Sequence, residues 1–402
     1  MKRLSFRTAG ESHGRGLVAL LEGLPAGLSL EMVRDVDPDL KRRQGGYGRG
    51  RRMEIESDRA EVLSGIRLGE TIGSPVALVV WNKDSENWLE AMSPLPPDPD
   101  GNPKALRSLY LPRPGHADLV GLLKYDRRDT RDILERASAR ETAARVACGA
   151  VCKKLLADFG IGIGSHVTSI GPVETQVPHE LPEDLNSAVD ESPLRTLDDE
   201  AASSMIEAID QAKEEGDTLG GIFEVVVRGL PAGLGSYVSY DTKLDGRLAG
   251  AMMSIQAIKG VEIGVGFEGA RRLGSEVHDP ITTDESAPRA GGIGRSSNRA
   301  GGLEGGITTG ELLVVRAAMK PISTLRKRLP SVDMRDGSAK DAAVERSDVC
   351  AVPAAAVVGE AMVALVLADA FLEKFGGDAM SEVRRNFESY IAYLGERGYG
   401  AR

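Results

Sequence analysis

Two histidines stand in glycine-punctuated, charge-rich contexts, Gly10-Glu11-Ser12-His13-Gly14 and Arg113-Pro114-Gly115-His116-Ala117-Asp118. Histidine titrates near neutral pH, so such a pair can exchange protons with a substrate. The glycines flanking His13 take it off any amphipathic core face, and Arg113 offers an anion-binding group three residues before His116. Between the histidines, residues 41–52 put six cations into twelve positions of a chain whose formal net charge is -10. A concentrated positive charge in an acidic protein points to a local anionic ligand. Gly45, Gly46, Gly48 and Gly50 let the backbone approach that ligand, and the arginines bring forked donors matched to phosphate and carboxylate. Nucleic acid asks for a broader basic face than this, so it is set aside as a partner.

Other signals are weaker alone. Arg136 and Arg140 are spaced i,i+4 and are expected on one helix face, with pairing to Asp132, Glu135 or Glu141 as the ordinary alternative. Lys320-Pro321-Ile322-Ser323-Thr324 places a cation and two hydroxyls in a turn, downstream of the glycine-rich stretch 304–310. Asp348 falls near the start of an apolar helix, where capping is its ordinary role. His166, His179 and His278 have unremarkable surroundings. The residues alone lead to an enzyme that binds a multiply anionic small molecule, with two histidines for proton transfer.

The elements that must position these groups read as α+β. At 402 residues, 41% hydrophobic and 27% charged, the chain can bury a large core. Helices are expected over 133–159, 201–214 and 353–375, and strands over 17–21, 76–80, 223–227, 262–267 and 312–318, without strict βαβ alternation. Gly23-Leu24-Pro25-Ala26-Gly27-Leu28 recurs as residues 229–234, each copy followed later by a Gly/Thr turn and a further strand. This predicts two similar β-containing halves packed around long central helices, one domain over 1–402. The stretch 178–200 is the nearest thing to a linker, and 93–103 reads as a surface loop. The apolar run 349–371 contains Glu360 and Asp369, which favours a buried helix over a membrane span. Three cysteines without partner spacing read as reduced core residues of a cytoplasmic protein, and no metal site is expected.

The motifs GESHG, RRQGGYGRG with RRMxIESD, RPGHADLVGxxKY, ERASARETAARVAxGAV, GGxEGGITTG, MKPISTL and ERSDVCAVPAA run from residue 10 to about 375 in family order, and the chain thereby resembles chorismate synthases. The resemblance implies a β-α-β sandwich and a homotetramer. It implies a lyase that eliminates phosphate from 5-enolpyruvylshikimate 3-phosphate in an anti 1,4 sense, giving chorismate for aromatic amino acid biosynthesis. Reduced FMN is required without net redox change. His13 then resembles the acid that protonates departing phosphate, and His116 the residue that maintains the reduced flavin's protonation state. Asp348, with Ser12 and Ser138, is similar to a relay assisting deprotonation. Arg43, Arg49, Arg52, Arg113, Arg140 and Arg346 match substrate-clamping positions, and Arg43 and Arg49 also match NADP positions. Flavin contacts are implied for Arg136, Ala137, Ser138, Gln256, Ala257, Gly305, Lys320, Pro321, Ile322, Ser323, Thr324 and Arg346. Loops including 43–52 are expected to close over the site. NADP(H) enters as an indirect reductant, with an external flavin reductase as the implied partner because no reductase domain is evident. The alternative is a catalytically inactive flavin- and anion-binding protein of the same fold.

Overall fold

The computed structural model describes residues 3–50, 56–178, 180–345 and 347–397. Arg51, Arg52, His179 and Arg346 lie outside the described residues. The first half is built on β1 (Ser5–Ala9), β2 (Gly16–Glu22), α1 (Asp37–Gln44), β3 (Glu61–Ser64) and β4 (Val76–Trp81). Its sheet is antiparallel in the order β1-β2-β4-β3. Period-two patterning sets its faces: Leu17, Ala19 and Leu21 are buried while Val18 between them is exposed. The chain continues through α2 (Asp118–Tyr125) and α3 (Arg131–Ala137) to a long helix, α4 (Thr142–Ala157).

The second half repeats this plan. It contains β5 (Gly162–Ile170), β6 (Val173–Glu174), α5 (Asp199–Glu215), β7 (Gly221–Arg228), α6 (Leu244–Met253), β8 (Ile258–Ile263), β9 (Leu313–Met319), α7 (Val352–Phe375) and α8 (Met380–Arg397). The sheet order is β6-β5-β7-β9-β8, again antiparallel. Leaving aside the short β6, first, second, fourth and third strands neighbour one another in both halves, and each set ends in a long helix.

The duplicated hexapeptide carries the same hydrogen bonds in both places. Thr71 Oγ1 donates to Pro25 O at 2.7 Å and accepts from Leu28 N at 2.9 Å. Thr308 Oγ1 donates to Pro231 O at 2.7 Å and accepts from Leu234 N at 2.8 Å. Each threonine lies five residues before the fourth strand of its half.

Helix α4 packs on β2 and β4, α7 packs on β5 and β7, and the two helices pack on each other, giving a β-α-β sandwich. A Cβ at Gly149 would stand 2.3 Å from the Cβ of Ala361, so their close approach requires glycine there. One continuous cluster of buried residues runs from Leu4 and Leu17 through both helices to Val315. Helix α7 is long and apolar enough to cross a membrane, but 94% of its most apolar window is buried inside the fold. Its acids are accounted for: Glu360 binds Arg42, Asp369 binds Arg247 and the Leu4 N–H, and Glu373 binds Arg247.

Several expectations need correction. The helix expected over 133–159 is broken, because Ser138 is extended (ψ 142) and its hydroxyl caps the 3-10 turn Ala139–Glu141. Arg136 and Arg140 therefore do not share a helix face. The strand expected at 262–267 is displaced to β8, and residues 266–269 form a helical turn. In the stretch 178–200, where no good linker was expected, Leu185 and Val189 of a short helix are buried against Val226.

Candidate active site

Nearly all the described candidate residues lie on connections at one end of the two sheets. The link from β4 to α4 carries residues 82–141, and the equivalent link from β9 to α7 carries 320–351. They meet repeatedly: Arg113 Nη1 donates to Thr324 Oγ1 at 2.8 Å, Lys320 Nζ donates to Gly115 O, the Ala343 N–H donates to Leu111 O at 3.3 Å, and Arg131 pairs with Glu345 at 3.4 Å.

His116 is held by its own motif. Its Nδ1 lies 2.6 Å from Asp118 Oδ1 and 3.1 Å from Arg113 Nη2. Arg113 also reaches Asp118 through Nε at 2.8 Å. Asp118 is fully buried, which would raise its pKa, but the bonds from His116 and Arg113 outweigh burial and hold it well below the usual carboxylate range.

His13 sits in the β1–β2 turn. Gly10 permits that turn, with φ 105 and space for a Cβ only 2.4 Å from Gly16 O. The His13 N–H donates to Glu135 Oε2 at 2.9 Å, and its Nδ1 lies 2.9 Å from both Glu135 oxygens. The ring stacks on Trp88 at 3.8 Å and 28°. Glu135 is buried, and its bonds to His13 and Arg131 overcome that burial and lower its pKa. Arg131 Nε donates to Arg107 O at 2.9 Å, so the segment 107–116 ties the His13 and His116 environments together.

The arginine cluster forms around Asp58. Arg43 Nη2 reaches Asp58 Oδ2 at 2.6 Å, and Arg140 Nη1 binds both Asp58 oxygens at 2.6 and 2.7 Å. Arg140 Nε donates to Asn82 Oδ1 at 2.8 Å. Burial, assisted by repulsion from Arg140, pushes Arg43 down to about 10 despite Asp58. Arg43 Nε and Arg140 Nη2 are buried without a hydrogen-bond partner among the described residues, Arg140 Nη2 lying 3.7 Å from Glu56 Oε2. Such orphaned donors suit an anion supplied from outside the chain. Arg43 lies in α1 and is buried, so it is part of the fixed frame and not of a closing loop. Arg42, from the same basic run, is committed to Glu360, Asp39 and Asp190.

Asp348 does not cap α7, whose N-cap is Ala351. Its Oδ1 accepts from the Gly50 N–H at 2.6 Å, and its Oδ2 lies 3.1 Å from Arg49 Nε. Ser12 is buried and its N–H donates to Glu135 O at 3.0 Å, beside the end of α3 where Ser138 sits.

Of the expected flavin positions, Arg136 is exposed and donates to Thr8 O at 2.9 Å and Gly10 O at 3.1 Å. Gln256 Nε2 donates to Glu141 Oε2 at 3.2 Å, whereas its Oε1 is buried without a partner. Ala257 has φ 68, a strained value for alanine, and its carbonyl accepts from the Lys320 N–H at 2.9 Å. Ala257, with Gln256 before it, thus adjoins the 320–324 turn. Gly305 does not: it turns the hairpin 303–308 beside Tyr237. The sequence reading overlooked Asp58, Asn82 and Trp88, and weighed Glu135 only as a helix partner.

Comparison with known proteins follows from this geometry. Residues 4–372 match the family model described as chorismate synthase. The chorismate synthase of Symbiobacterium thermophilum is 56% identical over 398 residues, covering 98% of this chain and all of that protein. That of Geobacter sulfurreducens is 56% identical over 397 residues, covering 97% and 99%. A solved structure titled as a crystal structure of chorismate synthase superposes with a TM-score of 0.78 at 47% identity, covering 98% of each chain.

Proposed function

The chain belongs to the chorismate synthase family, and from that premise we propose that it converts 5-enolpyruvylshikimate 3-phosphate to chorismate by anti 1,4-elimination of phosphate, using reduced FMN. The observation that carries this reading is the pair of buried arginines sharing Asp58, each with an N–H group that lacks a hydrogen-bond partner among the described residues, together with two carboxylate-bound histidines. Arg43, Arg49, Arg113 and Arg140 hold the phosphate and two carboxylates of the substrate, with Arg52 and Arg346 assigned the same role by family position. Their fixed charge offsets the charge that builds on the leaving group. His13 donates the proton to departing phosphate. Asp348, steadied by Gly50 and Arg49, takes up the proton lost from the ring, with Ser12 and Ser138 in its relay.

Gln256, Ala257, Lys320–Thr324 (320–324), Arg136, Ala137 and Ser138 are the positions that would hold the flavin, without Gly305, and the Gln256 oxygen that lacks a hydrogen-bond partner among the described residues and the strained Ala257 fit a polar planar ligand. Held there, reduced FMN would supply electron density for the elimination without net redox change. His116, backed by Asp118, maintains the protonation state that this requires. The continuous core supports reading 1–402 as one domain. The working form in this reading is a cytoplasmic homotetramer, with NADP(H) acting indirectly through an external flavin reductase.

The test is an anaerobic assay with authentic substrate, comparing chemically reduced FMN with FMN plus NADPH. Chorismate is expected in the first and not in the second. FMN binding without any chorismate would identify the inactive alternative.

A further inference from the structure

We propose that Glu135 and Trp88 are positioning residues for His13, fixing its ring so that the proton is delivered from Nε2; this rests on the reading of His13 as the acid. A histidine in a turn has two tautomers and rotates about two bonds, and an acid must present one nitrogen in one direction. Glu135 removes the first freedom. With both carboxylate oxygens 2.9 Å from Nδ1, the neutral ring keeps its proton on Nδ1, and the proton available for transfer is the one on Nε2. The form that transfers a proton is the imidazolium, which carries its second proton on Nε2. Trp88 removes the second freedom by covering one ring face at 3.8 Å.

Both residues are themselves held. Arg131 Nη1 donates to Glu135 Oε1 at 2.9 Å from one turn earlier in α3. The Trp88 indole donates to Asp84 Oδ2 at 3.0 Å, and the guanidinium carbons of Arg107 and Arg131 lie 4.0 and 5.0 Å from its ring centroid. The clamp thus joins α3 to the segment Lys83–Trp88 that follows β4, and His13 enters it from the β1–β2 turn. Among the described residues, charged groups around the imidazole include Glu135 and Arg131 from α3, Arg107 beyond the indole, Glu345 behind Arg131, and Glu11 in its own turn.

The experiment measures two things on E135Q, W88F and W88L: the tautomer of the His13 ring by NMR of 15N-histidine-labelled protein, assigned with H13Q, and kcat and KM. E135Q replaces one of the two carboxylate oxygens facing Nδ1 with an amide donor, so the Nδ1–H tautomer is no longer enforced. The Nε2–H tautomer should appear, and kcat should fall by about 10- to 100-fold with little change in KM. W88F, which keeps an aromatic face, should retain most of kcat, and W88L should lose about 10-fold. An unchanged tautomer and unchanged kcat in E135Q would overturn the clamp. A changed tautomer with unchanged kcat would overturn the underlying assignment of His13 as the acid. Should E135Q not fold, equal kcat and equal ring dynamics in W88F and W88L would overturn the proposal.

Discussion

Replacing Glu360 with glutamine should destabilise the protein more than almost any other isosteric change. The carboxylate is fully buried midway along α7. It accepts from Arg42 Nη1 and Nη2 at 3.0 and 2.7 Å, Lys153 Nζ at 2.6 Å, Ser165 Oγ at 2.6 Å, and Asn186 Nδ2 and Arg195 Nη2, both at 3.2 Å. Arg42, Lys153 and Arg195 are balanced by Glu360, Asp39 and Asp190. Glutamine preserves the shape and leaves this cluster with one uncompensated positive charge. Removing one partner of a buried ion pair costs roughly 3–5 kcal/mol, a large part of the about 5–15 kcal/mol that stabilises a typical protein. Guanidinium unfolding followed by circular dichroism would measure it as a lower midpoint at unchanged slope. The E360Q/K153M variant, which restores charge balance, should recover part of the loss. Finding E360Q within about 1 kcal/mol of the parent would refute the reasoning, because ordinary surface changes fall in that range.

Thr71→Val and Thr308→Val each remove a hydroxyl that bridges a proline carbonyl and a leucine N–H, so each should cost about 1–2 kcal/mol, with the two losses similar; unequal denaturation midpoints would break the equivalence of the halves. Acid should also destabilise the fold. Asp58, Asp118, Glu135, Glu141 and Glu224 are all pulled below their ordinary values, burial being outweighed by neighbouring cations and hydrogen bonds. A carboxyl with a depressed folded-state pKa contributes its full stability above the unfolded value, and this is lost as pH falls through the folded value. Thermal midpoints should therefore be nearly level from about pH 6 to 8 and fall below about pH 4, and a midpoint unchanged at pH 3 would contradict these pairings.

The α+β class, the repeat and α7 were legible because each rests on local patterning: a hexapeptide seen twice, an apolar run opened by Pro353 and closed by Gly376, and alternation along β2. What was not legible depends on distant partners. The break at Ser138 comes from one hydroxyl bonding Arg140 N in place of continuing a helix whose composition is favourable throughout. Strands β1, β3 and β5 carry few consecutive apolar residues, and Gly162–Ile170 contains His166, whose partner Glu224 lies 58 positions on. The histidines and arginines were marked by glycine-rich, charge-dense motifs. Asp58, Asn82 and Trp88 carry no such mark, because their roles arise only when 58, 82 and 140, or 13, 88 and 135, are folded together. The basic run was read as uniformly ligand-directed, whereas Arg42 faces the core and Arg43, one residue on, faces the site.

The two equivalent links between a fourth strand and its helix meet at 111 with 343, 113 with 324, 115 with 320 and 131 with 345. Each half can complete its own ladder of backbone pairing without the other, but neither owns both members of any of these contacts. Turnover is therefore a reporter of how the halves dock, and chemistry would emerge only at the last stage of assembly.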